Sequence, residues 1–298
     1  MVDKKHLDES NGRLPVMKTY KLFIGGKFPR TESGRYFPIN STDGKLVANL
    51  CRASRKDFRN AVVAARKAQI GWNAKTAYNR SQIIYRIAEI LEQRKSQFKE
   101  EMMLMGYSAA AASKEMNLSI DRLVYYAGWA DKYGQIFSSV NSVASSHFNF
   151  SLPEPTGIVA GFAPQSYALM GLISLIIPAI TGANTCVVLA SEKFPLCAIT
   201  FAEVLNDSDL PPGVVNILTG FRNELIEHFS THMDVNAIIY CGDDKQQIKT
   251  IQKNAASNVK RAIIRKGIKW TKAVGQSPYY ILETQEIKTT WHPIEELG

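Results

Sequence analysis

The chain has 298 residues, 45% of them hydrophobic and 21% charged, which excludes an intrinsically disordered tract and provides enough apolar surface for one large or two ordinary α/β domains. Its net charge is +9, and nine basic residues with no acidic one fall between Lys245 and Lys272; without those nine of the 36, the remaining basic residues balance the 27 acidic ones. Cys51, Cys186, Cys197 and Cys241 lack CxxC spacing, so neither a zinc site nor a disulfide framework is indicated, and a reduced, cytoplasmic setting is expected.

Residues 1–18 are polar and predict a loose N-terminal arm. The opening Met1-Val2-Asp3-Lys4-Lys5-His6 lacks the apolar core of a secretory signal. Tyr20 to Phe28 alternates around Gly25-Gly26, a hairpin signal, and Phe37-Pro38-Ile39-Asn40 leads to a second turn at Asp43-Gly44. From Asp57 the period becomes helical, with Phe58, Val62, Ala65 and Ile70 on one stripe. Ile83, Ile84, Ile87, Ile90 and Leu91 mark a longer amphipathic helix, and a third helix is predicted from about Ala109 to Tyr133. Phe148-Asn149-Phe150-Ser151-Leu152 alternates and predicts a strand outside the main body, an arm spanning residues 140–156.

Five short β-branched runs follow: Gly157–Phe162, Thr185–Leu189, Val214–Leu218, Asn236–Tyr240 and Lys260–Ile264. Helical stretches separate them near Ser166–Thr181, Pro195–Asn206, Asn223–Ser230 and Asp244–Asn254. This alternation predicts a doubly wound, five-stranded parallel sheet of Rossmann type over 157–266. Its N-terminal helices would fall within 19–139, and a C-terminal strand and tail within 267–298. Ser277-Pro278-Tyr279-Tyr280-Ile281-Leu282 is expected to be that strand. The most apolar run, Ala168 to Ile180, is too short to span a bilayer, so no membrane is implied.

Lys245, Lys249 and Lys253 share one helical face, either a solvated face or a docking face for an acidic partner. No aromatic-interleaved module accompanies the charge, so nucleic acid is not the expected partner. His147, His228, His232 and His292 lie away from carboxylates and cysteines at ligand spacing and predict structural or surface roles.

Phe23-Ile24-Gly25-Gly26, Tyr126-Ala127-Gly128-Trp129, Glu154-Pro155-Thr156-Gly157-Ile158-Val159, Asn184-Thr185, Ser191-Glu192 and Leu210-Pro211-Pro212-Gly213-Val214-Val215-Asn216 occur in order. Together they resemble the N-terminal half of the aldehyde dehydrogenase superfamily. The resemblance implies an NAD(P)-binding fold with an oligomerisation β-arm. It also implies NAD(P)-dependent oxidation of aldehydes to acids, yet the chemistry-bearing positions depart from the pattern. Where the family carries Pro-Trp-Asn-x-Pro, with an oxyanion-donating asparagine, this chain has Pro164-Gln165-Ser166-Tyr167-Ala168. Losing one such donor typically costs about 10²–10³ in rate.

The ribose-binding lysine is replaced by Leu189, which leaves Glu192 as a helix-capping acid, and the small residues that make room for adenine align with Arg222 and Ile226. The pyrophosphate loop reads Tyr240-Cys241-Gly242-Asp243-Asp244, with carboxylates where a hydroxyl would receive phosphate. Arg265 stands in place of the general-base glutamate, and a guanidinium cannot abstract a proton. Family members place the nucleophilic cysteine beyond the position where Gly298 ends this chain, and Thr289-Thr290-Trp291-His292-Pro293-Ile294 is expected to form a natural ending.

No catalytic, metal or bound-cofactor residue is therefore expected. The resemblance implies a pseudoenzyme like the non-catalytic second module of tandem-domain aldehyde dehydrogenases, associating with an active aldehyde dehydrogenase subunit or with itself through the arm. The rivals are an oxidoreductase with an altered or partner-completed site, in which Cys241 would serve as thiolate, and a fragment of a longer reading frame. An arm with two unpaired edges would also make the isolated monomer unstable.

Overall fold

The computed structural model describes residues 18–294, so most of the predicted N-terminal arm lies outside the described residues. Near the start of the described residues is a tight turn in which Ile24 bridges Lys27 and Phe23 bridges Ile217. The expected hairpin there is reduced to these bridges, and Gly25 and Gly26, with φ of 60° and 73°, make the reversal. A true hairpin follows, β1 (Tyr36–Asn40) against β2 (Leu46–Cys51).

Helix α1 (Arg55–Asn73) starts at a capping box: Ser54 accepts from the Asp57 N–H, and Asp57 accepts from the Ser54 N–H. Asp57 also accepts from the Thr31 hydroxyl at 2.6 Å and the Glu32 N–H at 3.0 Å, tying the preceding loop to the helix start. Phe58, Val62 and Ala65 are buried as expected, but Ile70 is 80% exposed, and Trp72 takes the inward position near the helix end. The Trp72 indole N–H donates to the Ile180 carbonyl at 3.0 Å.

The second segment divides into α2 (Ala77–Gln93) and α3 (Lys95–Leu104). The third helix, α4 (Ala109–Ala127), ends at Gly128 rather than at Tyr133, which instead opens the short α5 (Tyr133–Phe137).

β3 (Ser139–Asn141) and β4 (His147–Pro155) form the arm. The five predicted core strands are β5 (Ile158–Phe162), β6 (Thr185–Leu189), β7 (Val215–Leu218), β8 (Ala237–Cys241) and β9 (Arg261–Arg265). Between them run α6 (Met170–Thr181), α7 (Leu196–Asp207), α8 (Arg222–Thr231) and α9 (Lys245–Ala256). All sheet pairings are parallel in the order β7-β6-β5-β8-β9, so the chain reverses its winding between β5 and β8.

Successive side chains of β5 serve opposite layers. Val159 joins the core under α2, α4, α6 and α7, while Ile158, Ala160 and Phe162 join the core under α1 and α8. Burial on both faces explains why these strands read as continuous apolar runs.

The predicted strand at Ser277–Leu282 is a correction. Tyr279–Leu282 is a short helix, α10, whose turns are closed by Ile281 N–H to Pro278 carbonyl at 3.0 Å and Glu283 N–H to Tyr279 carbonyl at 2.8 Å. The last strand is β10 (Gln285–Pro293), antiparallel to β4 over nine residues, from Gln285 opposite Pro155 to Pro293 opposite His147. The other edge of β4 carries β3, so the expected pair of bare edges is also corrected: the order is β10-β4-β3. A polar ladder stitches the three strands, with Asn141 donating to Asn149 at 2.6 Å and to Ser151 at 2.9 Å, and Ser151 paired to Thr289 at 2.8 Å.

Two members of the basic segment, Lys260 and Arg265, are internal rather than solvated. Lys260 is 6% exposed and donates to the His232 carbonyl at 2.7 Å; burial lowers its ammonium from 10.5 to about 8. The unfolded chain therefore binds the extra proton between those values, and stability rises with pH there, by at most about 1.4 kcal/mol per pH unit for one proton. Buried thiols such as Cys186 and Cys241, which burial raises, act in the opposite direction over the same range, so the lysine is read as a difference: urea unfolding between about pH 8 and pH 10 is expected to show the stability of the parent rising relative to that of Lys260→Met. Identical profiles would contradict it.

Candidate functional site

The carboxyl ends of β5 and β8 open onto a cleft of about 520 Å³, at the point where the winding reverses. In open α/β sheets this is where ligands bind. Of the residues singled out in the sequence, Ser166, Glu192, Arg222, Cys241, Gly242, Asp243, Asp244 and Arg265 line it. Leu189 and Ile226 do not. Leu189 is fully buried at the end of β6, and Ile226 is 7% exposed, both within the core under α1 and α8.

Ser166 is exposed in the loop between β5 and α6. That loop is held by α4. Glu115 accepts from the Leu169 and Met170 N–H groups at 2.7 and 3.1 Å, capping α6, and the Ala168 N–H donates to the Tyr107 hydroxyl at 3.1 Å. Desolvation raises the Glu115 carboxyl above its ordinary value, partly offset by those N–H donors.

Glu192 accepts from the Arg222 N–H at 2.6 Å and so caps α8. The Gln165 side-chain oxygen Oε1 accepts from the Glu192 N–H at 2.8 Å and the Lys193 N–H at 3.3 Å. These contacts fix the loop after β6 against the loop after β5.

The residue that organises the cleft is Arg222. Its guanidinium donates to the Ala163 carbonyl and, at 3.1 Å, to the Cys241 carbonyl, bridging the ends of β5 and β8. It lies 5.2 Å from the Tyr240 ring centroid. A Cβ at Gly242 would come within 3.0 Å of Arg222 Nη1 and the Tyr240 ring, so the turn after β8 closes tightly on this side chain. Arg222 stands where the family resemblance implies a small residue, and its bridge between two strand ends depends on the tertiary fold.

Asp244 caps α9, accepting from the Gln246 and Gln247 N–H groups at 2.9 and 3.0 Å, and Asp243 stands exposed beside it. Arg265 is 5% exposed, pairs with Glu283 at 2.7 Å and stacks 4.1 Å from the Tyr280 centroid.

Cys241 is buried and its thiol is pushed up to about 11 by desolvation, which outweighs the opposing pull of Arg265 and Arg222. Burial is thus the main obstacle to a thiolate there, rather than the neighbouring aspartates. No three His, Cys, Asp or Glu side chains among the described residues are grouped to hold a metal ion. Nor is any described helix long and apolar enough to cross a membrane.

The sequence matches the family model of the aldehyde dehydrogenase family over residues 29–290. The chain belongs to the aldehyde dehydrogenase family. Among curated relatives it is 30% identical to the aldehyde dehydrogenase of Davidiella tassiana, over 89% of this chain and 52% of that protein. It is 32% identical to rat aldehyde dehydrogenase 1A1, over 90% of this chain and 52% of the relative. The similarity to mouse cytosolic 10-formyltetrahydrofolate dehydrogenase is 29%, over 93% of this chain and 30% of that one. The NAD+ complex of the Bacillus cereus aldehyde dehydrogenase superposes with a TM-score of 0.79 at 25% identity, covering 84% of this chain and 51% of the other. The chain spans about half the length of the aldehyde dehydrogenases it matches from Davidiella tassiana and rat.

The lining of this cleft differs from the one that the family resemblance implies around a dinucleotide. Asp244 occupies the first N–H groups of α9, Asp243 places a further carboxylate there, and Leu189 offers no polar atom at the ribose position. Arg222 ties the ends of β5 and β8 together on one wall of the cleft.

Proposed function

We propose that this chain is a non-catalytic member of the aldehyde dehydrogenase family, a cytoplasmic partner or regulatory subunit of a full-length, active aldehyde dehydrogenase. The observation that carries this reading is the pair of arginines at the sheet ends. Arg222 bridges the strand termini, and Arg265 is locked to Glu283 at the position where the family resemblance calls for a general base. A buried, ion-paired guanidinium takes no proton at neutral pH. The loss of a base and of an oxyanion donor each removes about two orders of magnitude or more in rate. The arm supports the subunit role: Val140, Phe148 and Trp291 are exposed on its strands, and β3 and β10 keep outer edges for pairing.

The purified chain is expected to oxidise no aldehyde with NAD or NADP, followed by the absorbance of the reduced cofactor across aliphatic and aromatic aldehydes. Turnover that disappears in Cys241→Ala would overturn the reading and make the chain an enzyme with an altered nucleophile.

A further inference from the structure

The cleft holds a set of donors that the fold leaves unpaired. Gln165 Nε2, Arg222 Nε and Arg265 Nη1 are buried and have no acceptor among the described residues, and all three side chains line this one cleft. Arg222 and Arg265 are 6% and 5% exposed. Leaving buried charged donors unpaired is costly, and such groups in folded proteins ordinarily have a partner. Each unpaired atom is a donor, so the missing partner is an acceptor.

Of the neighbouring carboxylates, Asp243 is exposed at the start of α9, and the other three are already engaged. Glu192 receives the Arg222 N–H, Asp244 receives two N–H groups of α9, and Glu283 takes Nε and Nη2 of Arg265 while leaving Nη1 over. Lys193 and Lys269 add exposed cationic side chains to the lining.

We infer that the cleft binds a small organic oxyanion, a carboxylate or a phosphate monoester, held by Gln165, Arg222 and Arg265 with Lys193 and Lys269 at its rim. Guanidinium groups suit both anions because their planar donor fork matches paired oxygens. A volume of about 520 Å³ leaves room for an organic body beyond the anionic group. The inference rests on the dinucleotide having been lost, since both ligands would claim the ends of β5 and β8.

Calorimetric titration of the full chain with succinate, citrate, glucose 6-phosphate and inorganic phosphate tests it, with NAD titrated separately. At low salt at least one organic probe is expected to saturate with Kd below about 1 mM, and which probe does so separates carboxylate from phosphate. Arg222→Met is expected to weaken that binding at least about tenfold through loss of a charge-assisted donor. If that variant fails to fold, the surface double variant Lys193→Ala, Lys269→Ala is expected to weaken it by roughly threefold or more and flatten its salt dependence.

Silence from every probe at about 10 mM, or binding that no variant alters and that inorganic phosphate matches, would overturn the inference, the latter meaning an adventitious ion only. Silence from the oxyanions together with silence from NAD removes this inference alone. Saturable NAD binding removes the functional reading beneath it as well.

Discussion

Replacing Asn184 by leucine is expected to cost about 3–5 kcal/mol of stability, a large part of the roughly 5–15 kcal/mol typical of folded domains. Asn184 is fully buried between α6 and β6. Its side-chain carbonyl accepts from the Gly157 N–H at 2.9 Å, and its amide donates to the Ala179 carbonyl at 3.2 Å and the Thr284 carbonyl at 3.0 Å. One side chain thus joins the entry to β5, the end of α6 and the exit from α10. Leucine has nearly the same shape but leaves the buried Gly157 N–H without an acceptor, at about 1–3 kcal/mol, and removes one of the donors to each of the Ala179 and Thr284 carbonyls, at about 1 kcal/mol each; those carbonyls keep the Asn184 and Thr156 N–H groups. In urea the midpoint should fall with an unchanged slope. A loss below about 1 kcal/mol would mean that water or backbone shifts replace the asparagine.

Removal of β10 by truncation before Gln285 is expected to convert the chain from a defined species into heterogeneous aggregates. The truncation strips nine paired residues from β4 and exposes its long edge beside Phe148 and Leu152, which are already partly exposed. It also removes the Glu286 carboxylate and the Gln285 carbonyl that hold Arg261 at the end of the main sheet. Light scattering against the parent reads the effect. A truncated chain that stays monodisperse and equally stable would show that β10 does not protect the arm.

The core sheet was legible because each of its strands is a short apolar run bounded by turn residues, and burial on both faces imposes that pattern. β10 was not legible for the opposite reason. Apart from Gln285 its residues are exposed, so Gln285 to Pro293 shows no face to bury, and only the register with β4 makes it a strand. Tyr279–Leu282 carries residues that favour strands, yet Pro278 and the local turn bonds set it as a helix.

The site divides in the same way. Substitutions at Ser166, Leu189, Asp243 and Arg265 could be read from their place in motifs. The Arg222 bridge and the Glu115 cap on α6 could not, since each depends on residues brought together by the tertiary fold: Arg222 reaches Ala163 across 59 positions and Glu115 reaches Leu169 across 54. Asn184 and Asn216 belong to the motifs that carry the family resemblance, yet they act here as buried backbone anchors, Asn216 accepting from the Gly25 N–H at 2.8 Å.

The most direct measurement is a calorimetric titration of the purified chain with NAD and with NADP. On the proposed reading, the expected result is no saturable binding up to about 1 mM for either cofactor, because Asp244 takes the first N–H groups of α9 and Asp243 adds a further carboxylate beside them. A dissociation constant below about 100 μM, roughly −5.5 kcal/mol, would contradict it.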